Sequence, residues 1–376
     1  MRDMDYSLHL TTACNMSCRY CTLPHGKRYM AFETARAVLD RAARAGGVCG
    51  IELTGGEPLL QKQLIEEIIR YGFRLMRRGR VRFDFKISTN GLLLDEEMIR
   101  FAAAHDVTVA LYHDGIRAAH DKNRVSSSRS GTFANLEPVI DALLAVMPYS
   151  PVHITVEPSV VSCFADSVAY LYERGFRVLL ADISIKGRWN SERIAQLQKQ
   201  YLRLSRFYFE RTLNGDTFYF APFETKMQSC IQGGCTCLDR CEFGKSRISV
   251  STCGDFYPCG QFIGNKQYQI GSIRTGLDDM RRFCLYRKNG SEKTACADCP
   301  FKSRCRSCCG CRNFTATGSV DRVSPLVCAH ERALIPITDD LAKRLLRNRY
   351  ATFLHKPYDE FRSLVPAEEA SAHGMV

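Results

Sequence analysis

Apolar and polar residues alternate through residues 6–11, Tyr-Ser-Leu-His-Leu-Thr, and that period of two predicts a first strand. Residues 32–45 change to a helical period closed by Gly46-Gly47, a pair suited to ending a helix. The same reading gives strand 50–53, helix 61–77, strand 83–88 and helix 95–104, the last opening on acidic residues. Strand 108–112, a helix from 132 to about 144, strand 153–156, a helix over about 165–174 and strand 177–183 continue the series. Six strands alternating with helices of this length require a mainly parallel sheet with right-handed crossovers. The expected class is α/β, an open partial (β/α)6 barrel whose chemistry lies at the carboxyl ends of its strands.

The pattern then changes. After Trp189, residues 192–214 read as a charged amphipathic helix, and 187–229 as a helical bridge following a barrel of residues 1–186. From 230 to 330 the strands shorten, Gly and Cys dominate, and apolar periodicity is too weak for an independent core, so metal is expected to staple a small cysteine-rich domain. Residues 331–376 are expected to hold one helix, about 339–347, and a poorly ordered polar end.

Composition narrows the setting. With 376 residues and 45% apolar side chains, the chain can bury a large core. Its longest apolar run, about 142–147, cannot span a bilayer, and Asp3 and Asp5 precede the first strand where a signal peptide would be basic then apolar. A soluble, cytoplasmic protein with no membrane partner is expected. Nineteen cysteines without a secretion signal argue for metal binding in a reducing compartment, and most fall between Cys235 and Cys328. The formal charge is +12. Three clusters on eleven thiolates would lower it to about +7, and no basic run with interleaved aromatics suggests a nucleic-acid partner.

Cys14, Cys18 and Cys21 carry the strongest chemical signal. Three thiolates spaced x3 and x2 on one loop can hold three irons of a [4Fe-4S] cluster and leave the fourth open, although half a zinc site reads alike. Tyr20 lies between the last two cysteines, and Gly55-Gly56-Glu57-Pro58 ends the next strand. Together these resemble the radical S-adenosylmethionine (SAM) superfamily. The resemblance implies that SAM chelates the open iron and is cleaved reductively to a 5′-deoxyadenosyl radical. It places SAM near Tyr20, near Gly55 and Gly56, where no Cβ obstructs close approach, and near Glu57, whose carboxylate would meet the methionine ammonium. Ser88 and Asn90, at the end of the third strand, match polar contacts to SAM, though an Asn-Gly turn would look the same. In the segment Tyr112-His113-Asp114-Gly115, followed by His120-Asp121 and Arg124, Tyr112 stands where the family has a small hydroxyl residue. Arg124 is assigned to SAM, while Tyr112, His113, Asp114 and Glu157 are candidate catalytic or substrate contacts.

The C-terminal cysteines resemble the SPASM extension of radical SAM enzymes. Cys241-x12-Gly254-x4-Cys259 fits its first part, Cys296-x2-Cys299-x5-Cys305-x3-Cys309 its second, and Cys328 closes it. The resemblance implies one [4Fe-4S] cluster on Cys296, Cys299, Cys305 and Cys328. A second would sit on Cys241, Cys259, Cys309 and an upstream cysteine, taken as Cys235 with Cys230 and Cys237 competing; zinc knuckles share such spacings. Cys49, Cys163, Cys253, Cys284, Cys308 and Cys311 have no role in the pattern, although the closeness of Cys308, Cys309 and Cys311 leaves the ligand open by a residue or two. With the SAM cluster, three [4Fe-4S] clusters are expected.

SPASM-bearing relatives mostly modify peptides or proteins. In the sulfatase-maturing ones an aspartate follows the cysteine of Tyr-Pro-Cys as a base, whereas Tyr257-Pro258-Cys259 is followed here by Gly260. The expected function is therefore a peptide maturase that abstracts hydrogen and oxidatively crosslinks, by thioether or C–C bond, a ribosomally made precursor peptide. The alternatives are oxidation of Cys or Ser to formylglycine, or a zinc or iron-sulfur protein without SAM chemistry. The expected partners are the precursor peptide and a reductant such as flavodoxin or ferredoxin; since the first strand begins by residue 6, any leader is expected to be recognised elsewhere or by a separate leader-binding protein.

Overall fold

The computed structural model describes residues 4–23, 25–231, 234 and 243–348. A nine-stranded sheet forms the centre: β1 (Asp5–Thr11), β2 (Gly47–Gly55), β3 (Val81–Thr89), β4 (Thr108–Tyr112), β5 (Val152–Val156), β6 (Val178–Ile183), β7 (Tyr219–Phe220), β8 (Arg247–Val250) and β9 (Phe256–Tyr257). Their order is β7-β6-β5-β4-β3-β2-β1-β8-β9, and every pairing is parallel except β8 with β9. The α/β class and barrel-type parallel sheet expected from the alternation are present. Helices α1 (Phe32–Ala45), α2 (Lys62–Met76), α3 (Glu96–Ala104), α5 (Phe133–Val146) and α6 (Phe164–Glu173) fall within a few residues of the periodic segments.

The two faces of the sheet differ. Tyr6, Leu8 and Leu10 of β1 join Ile51 and Leu53 of β2, Phe83, Phe85 and Ile87 of β3, and the buried faces of the helices in one apolar core. Ser7, Glu52, Lys86 and Ser88 occupy the alternate positions and bond to one another on the inner face. A parallel sheet covered on both faces would read as nearly continuous apolar runs. The polar alternate positions therefore mark a polar barrel interior.

Several elements were not legible as periodic segments. The turn of helix α4 (Arg117–Asn123) is too short for a period, and α8 (Ala221–Ile231) follows directly on the two-residue β7. The long helix expected at about 192–214 is α7 (Ser191–Leu213), capped by Asn190, whose side chain accepts from Arg193 N. The helix expected at 339–347 is longer: it starts after Ser324, whose Oγ accepts from Val327 N, and runs through Pro336 to Arg347. A proline inside a helix costs about 3 kcal/mol or more. Here Val327, Leu334, Ile335, Ile337, Leu341 and Leu345 are buried on the helix, which packs on α7 and α8.

Beyond β9 the described chain holds β10 (Gly271–Ser272), β11 (Gly276–Leu277), α9 (Asp279–Gly290), α10 (Gly310–Thr317) and the proline-containing helix just described, α11 (Pro325–Arg347). A small second core gathers Phe243, Tyr257, Phe262, Tyr268 and Val320. Through β8 this cysteine-rich span extends the barrel sheet itself, pairing Asp5 with Arg247 and Leu8 with Val250. Cys235, Cys237 and Cys241 lie outside the described residues.

Candidate functional site

The Cys14–Cys21 loop leaves the carboxyl end of β1 and is gripped by three neighbouring segments. From the β2 turn, Gly56 N donates to Thr11 O at 2.8 Å and Glu57 N to Ala13 O at 2.9 Å. A Cβ on Gly56 would lie 2.1 Å from Ala13 O, so only glycine permits this approach. From the β3 end, Asn90 Nδ2 donates to Asn15 Oδ1 at 2.8 Å and reaches Cys14 Sγ at 3.8 Å. From the end of α4 and the residues just after it, Asn123 O accepts from Arg19 N at 3.0 Å and Val125 O from Ser17 N at 2.8 Å.

These contacts suit a thiolate-held cluster. Met16 N and Asn90 Nδ2 both donate toward Cys14 Sγ, and N–H···S bonds of this kind tune cluster ligands. Burial pushes the Cys14 thiol up to about 11 and raises Cys18 as well, so both are protonated until a metal displaces the proton. Beside Cys18 stands Arg124, buried with Asp114, whose Oδ1 accepts from Arg124 Nε at 3.0 Å. Tyr20 Oη donates to Asp114 Oδ2 at 2.7 Å, and the guanidinium lies over the Tyr20 and Tyr112 rings at 5.4 and 5.5 Å. Among the described residues no three Cys, His, Asp or Glu side chains close on the position of a single metal ion. The donor set, three thiolates on one loop with N–H groups reaching Cys14 Sγ, suits a cluster, whose thiolates hold separate irons.

Several of the expected roles change. Glu57 is fully buried: Oε1 accepts from Leu59 N and Thr89 Oγ1, and Oε2 from Asn90 N. Its carboxylate ties the β2 and β3 ends together and is not available to an ammonium. His113 points away from the interior, its ring 4.1 Å from His120 and 5.6 Å from Phe133 in the helix layer, and burial lowers its pKa to about 3. Asp114 is fully engaged by Arg124, Tyr20 and Thr155 N, so a catalytic part for either His113 or Asp114 is replaced by a structural one. His120 and Asp121 likewise bond to Thr132 and to Phe133 N at the start of α5.

The remaining candidates stay near the interior. Tyr112 faces inward with its ring 4.9 Å from His153, and burial raises its phenol. Glu157 is half-buried after β5, and burial raises its carboxyl although a bond with Ser184 opposes this. Ser88 Oγ donates to Glu52 Oε1 at 2.7 Å, and Gly55 adopts φ +141° against Thr11.

The interior also contains groups that motif reading missed. Glu52 accepts from Ser7 Oγ at 2.9 Å and pairs with Lys86 Nζ at 3.0 Å. Burial opposes its charge, yet Lys86 and Arg247 hold the carboxyl far below the usual range. His9 lies against Gly260, where an added Cβ would come 2.8 Å from its Nε2, and burial lowers its pKa to about 4. Asp182 on β6 bonds Arg306 Nη1 at 3.2 Å and Arg312, which keep it near 2 against the effect of burial. The signal for these residues was the polar member of each alternating strand pair.

The C-terminal thiols form two groups. Cys296 interacts with Cys299 and Cys328, and Arg332 bonds Cys328 and reaches Cys299 Sγ at 3.9 Å, with Cys305 also in its field. Cys259, Cys309 and Cys311 make the other group.

Residues 8–158 match the sequence model of the radical SAM superfamily. The chain carries a radical SAM domain. Over 323 residues it is 23% identical to the cysteine-type anaerobic sulfatase-maturating enzyme of Clostridium perfringens, covering 79% of this chain and 84% of that one. Over 330 residues it is 26% identical to the mycofactocin maturase MftC of Mycobacterium ulcerans, covering 84% and 85%. In fold it resembles native anSMEcpe with bound AdoMet, with TM-score 0.77 at 20% identity over 93% of this chain and 99% of that one. Streptococcus suis SuiB bound to its precursor peptide SuiA matches with TM-score 0.62 at 14% identity over 86% and 75%. No helix among the described residues is long and apolar enough to cross a membrane.

Proposed function

We propose that this radical SAM protein is a cytoplasmic peptide maturase that oxidatively crosslinks side chains of a ribosomally made precursor. Cys14, Cys18 and Cys21 would hold the SAM-binding cluster, with Tyr20, Gly55, Gly56, Ser88, Asn90 and Arg124 shaping its surroundings. Auxiliary clusters would sit on Cys296, Cys299, Cys305 and Cys328, and on Cys241, Cys259, Cys309 and a fourth thiolate. When bound, the clusters and SAM supply one-electron chemistry and a hydrogen-abstracting radical. The chain's own residues anchor the cysteine loop, neutralise charge beside Cys18 through Arg124, and present Tyr112, His153 and His9 to the interior.

The observation that carries the crosslinking reading is the Gly260–His9 contact. The position where the resemblance to sulfatase-maturing enzymes calls for a base aspartate is here a glycine packed on His9, where an added Cβ would come 2.8 Å from Nε2. The likeness to a sulfatase-maturating enzyme over 79% of the chain favours formylglycine formation as the second reading. A precursor peptide is the proposed substrate, in keeping with relatives named as maturases and a SuiB structure described with a precursor peptide. A flavodoxin or ferredoxin would supply electrons.

Two measurements test this. Anaerobically loaded protein reduced with dithionite should release 5′-deoxyadenosine from SAM; tightly bound zinc and intact SAM would overturn the radical reading. Co-expression with a neighbouring peptide should then give a product lighter by two hydrogens and resistant to separation by alkylation, whereas an aldehyde at Cys or Ser would select formylglycine formation.

A further inference from the structure

Asn289, at the carboxyl end of α9, is fully buried, yet among the described residues neither its Nδ2 nor its Oδ1 has a hydrogen-bond partner. Buried polar groups are almost always paired, because an unpaired one has given up its hydration for nothing in return. The backbone beside this amide is held firmly. Lys293 Nζ donates to Asn289 O at 2.8 Å and to Ser291 O at 3.3 Å. The side chain is thus placed by its surroundings without being bonded by them.

It faces the turn that carries two of the C-terminal thiols. A Cβ on Gly310 would lie 2.5 Å from Asn289 Oδ1 and 3.2 Å from Phe243 Cε2, so glycine is what lets the amide approach. Gly310 is the first residue of α10, and its chain neighbours are Cys309 and Cys311, whose sulfurs lie 3.4 Å apart. Cys259 bonds to Cys311 and packs with it on the same small core as Phe243. The amide therefore brings two N–H donors to the edge of a group of sulfur atoms.

We propose that Asn289 donates a hydrogen bond from Nδ2 to a sulfur of the auxiliary cluster at Cys259 and Cys309, and so raises the potential at which that cluster takes up an electron. This rests on the three-cluster reading above. Reduction adds negative charge to a cluster, and an N–H donor at its sulfur stabilises the reduced form more than the oxidised one. Asn289 would thereby favour removal of the electron that must leave the substrate as a crosslink closes.

The test uses the full-length chain with Cys14, Cys18 and Cys21 changed to Ala, so that only the auxiliary clusters are read. After anaerobic reconstitution with iron and sulfide, this parent should hold about eight irons per chain. Asn289→Leu is close to the amide in size and has no donor. In that background it should keep its iron, and a dithionite titration followed by electron paramagnetic resonance should show one auxiliary potential moved to more negative values and the other unchanged. A shift of about tenfold in the reduction equilibrium, about 59 mV for one electron, is expected. Electron–nuclear double resonance on the shifted cluster should lose a proton coupling that exchanges in D2O. Gly310→Ala keeps Asn289 but drives its amide aside, and should move the same potential in the same direction. Full iron with both potentials and the exchangeable coupling unchanged in the two variants would overturn the assignment, and so would loss of iron in both, which would make Asn289 a packing residue. A parent that binds zinc or no iron would instead overturn the three-cluster reading, and the role of Asn289 with it.

Discussion

Arg124 and Asp114 have side chains only 5% and 1% exposed, and their pair supports both Tyr20 and the neighbourhood of Cys18. Removing one partner leaves the other charge buried and uncompensated. Asp114→Asn should therefore destabilise the protein by about 3–5 kcal/mol in anaerobic denaturant unfolding, with Arg124→Met recovering much of that loss in the double variant. His113 gives a pH signature of its own. Folded, it resists protonation down to about 3 because of burial and of Arg124 and Arg174, while the unfolded residue titrates near 6.5. The unfolded chain thus binds more protons between those values, so this contribution is complete above about pH 6.5 and is lost as pH falls toward 3, by up to about 1.4 kcal/mol per pH unit. Urea midpoints measured from pH 7.5 to 5.5 should fall less steeply for His113→Phe, which keeps an aromatic ring against Phe133 and Tyr170.

At the level of elements, the cysteine loop owes its shape to strands that end beside it more than to any bond within it. Gly56→Ala would drive a Cβ into Ala13 O and push the β2 turn off the loop. Steric insertion of this kind costs about 1–3 kcal/mol. Iron loading at Cys14, Cys18 and Cys21 should fall with little change in far-ultraviolet circular dichroism, and SAM binding measured by calorimetry should weaken at least about tenfold, the equivalent of 1.4 kcal/mol. Gly79→Asn provides the comparison. Gly79 is left-handed, at φ +79°, but has nothing within 4 Å of an added Cβ, so only the modest αL cost of about 1 kcal/mol or less applies and iron loading should remain unchanged. The run of strand, cysteine loop, strand and glycine turn was readable because a parallel βαβ unit brings successive strand ends side by side. Glu57 was misread because motif spacing says where a carboxylate lies along the chain and nothing about which donors reach it first.

Across the whole molecule, the cysteine-rich span is joined to the barrel by hydrogen bonds as well as by ions. β8 pairs with β1, Asp182 of β6 holds Arg306 and Arg312, and Lys226 of α8 binds Glu331 of α11 at 2.5 Å and Arg304 O at 2.9 Å. Chelation of the proposed clusters should leave β1 to β6 protected in hydrogen exchange, since their apolar core is continuous, while amides of residues 296–311 exchange faster. Equal loss of protection in both regions would show that the clusters hold the barrel too.

Most of the barrel was legible because amphipathic periods of two and 3.6 recur there at full length, down to the limits of α1 and β4. The helix α11 was cut short by Pro336, a local signal that burial on α7 and α8 overrides. The sequence by itself determined the α/β alternation, the three-cysteine loop and the cysteine-rich C-terminal span, because period and spacing are properties of a line. Which polar groups are free and which are spent was decided only by the tertiary structure. It committed Glu57 to backbone, turned His113 toward the helices, set His9 against Gly260, and brought Cys311 to Cys259 across more than fifty residues. The reason is physical: a side chain's chemistry depends on its desolvation and its nearest donors, and in a folded chain those come from segments that are far apart in sequence.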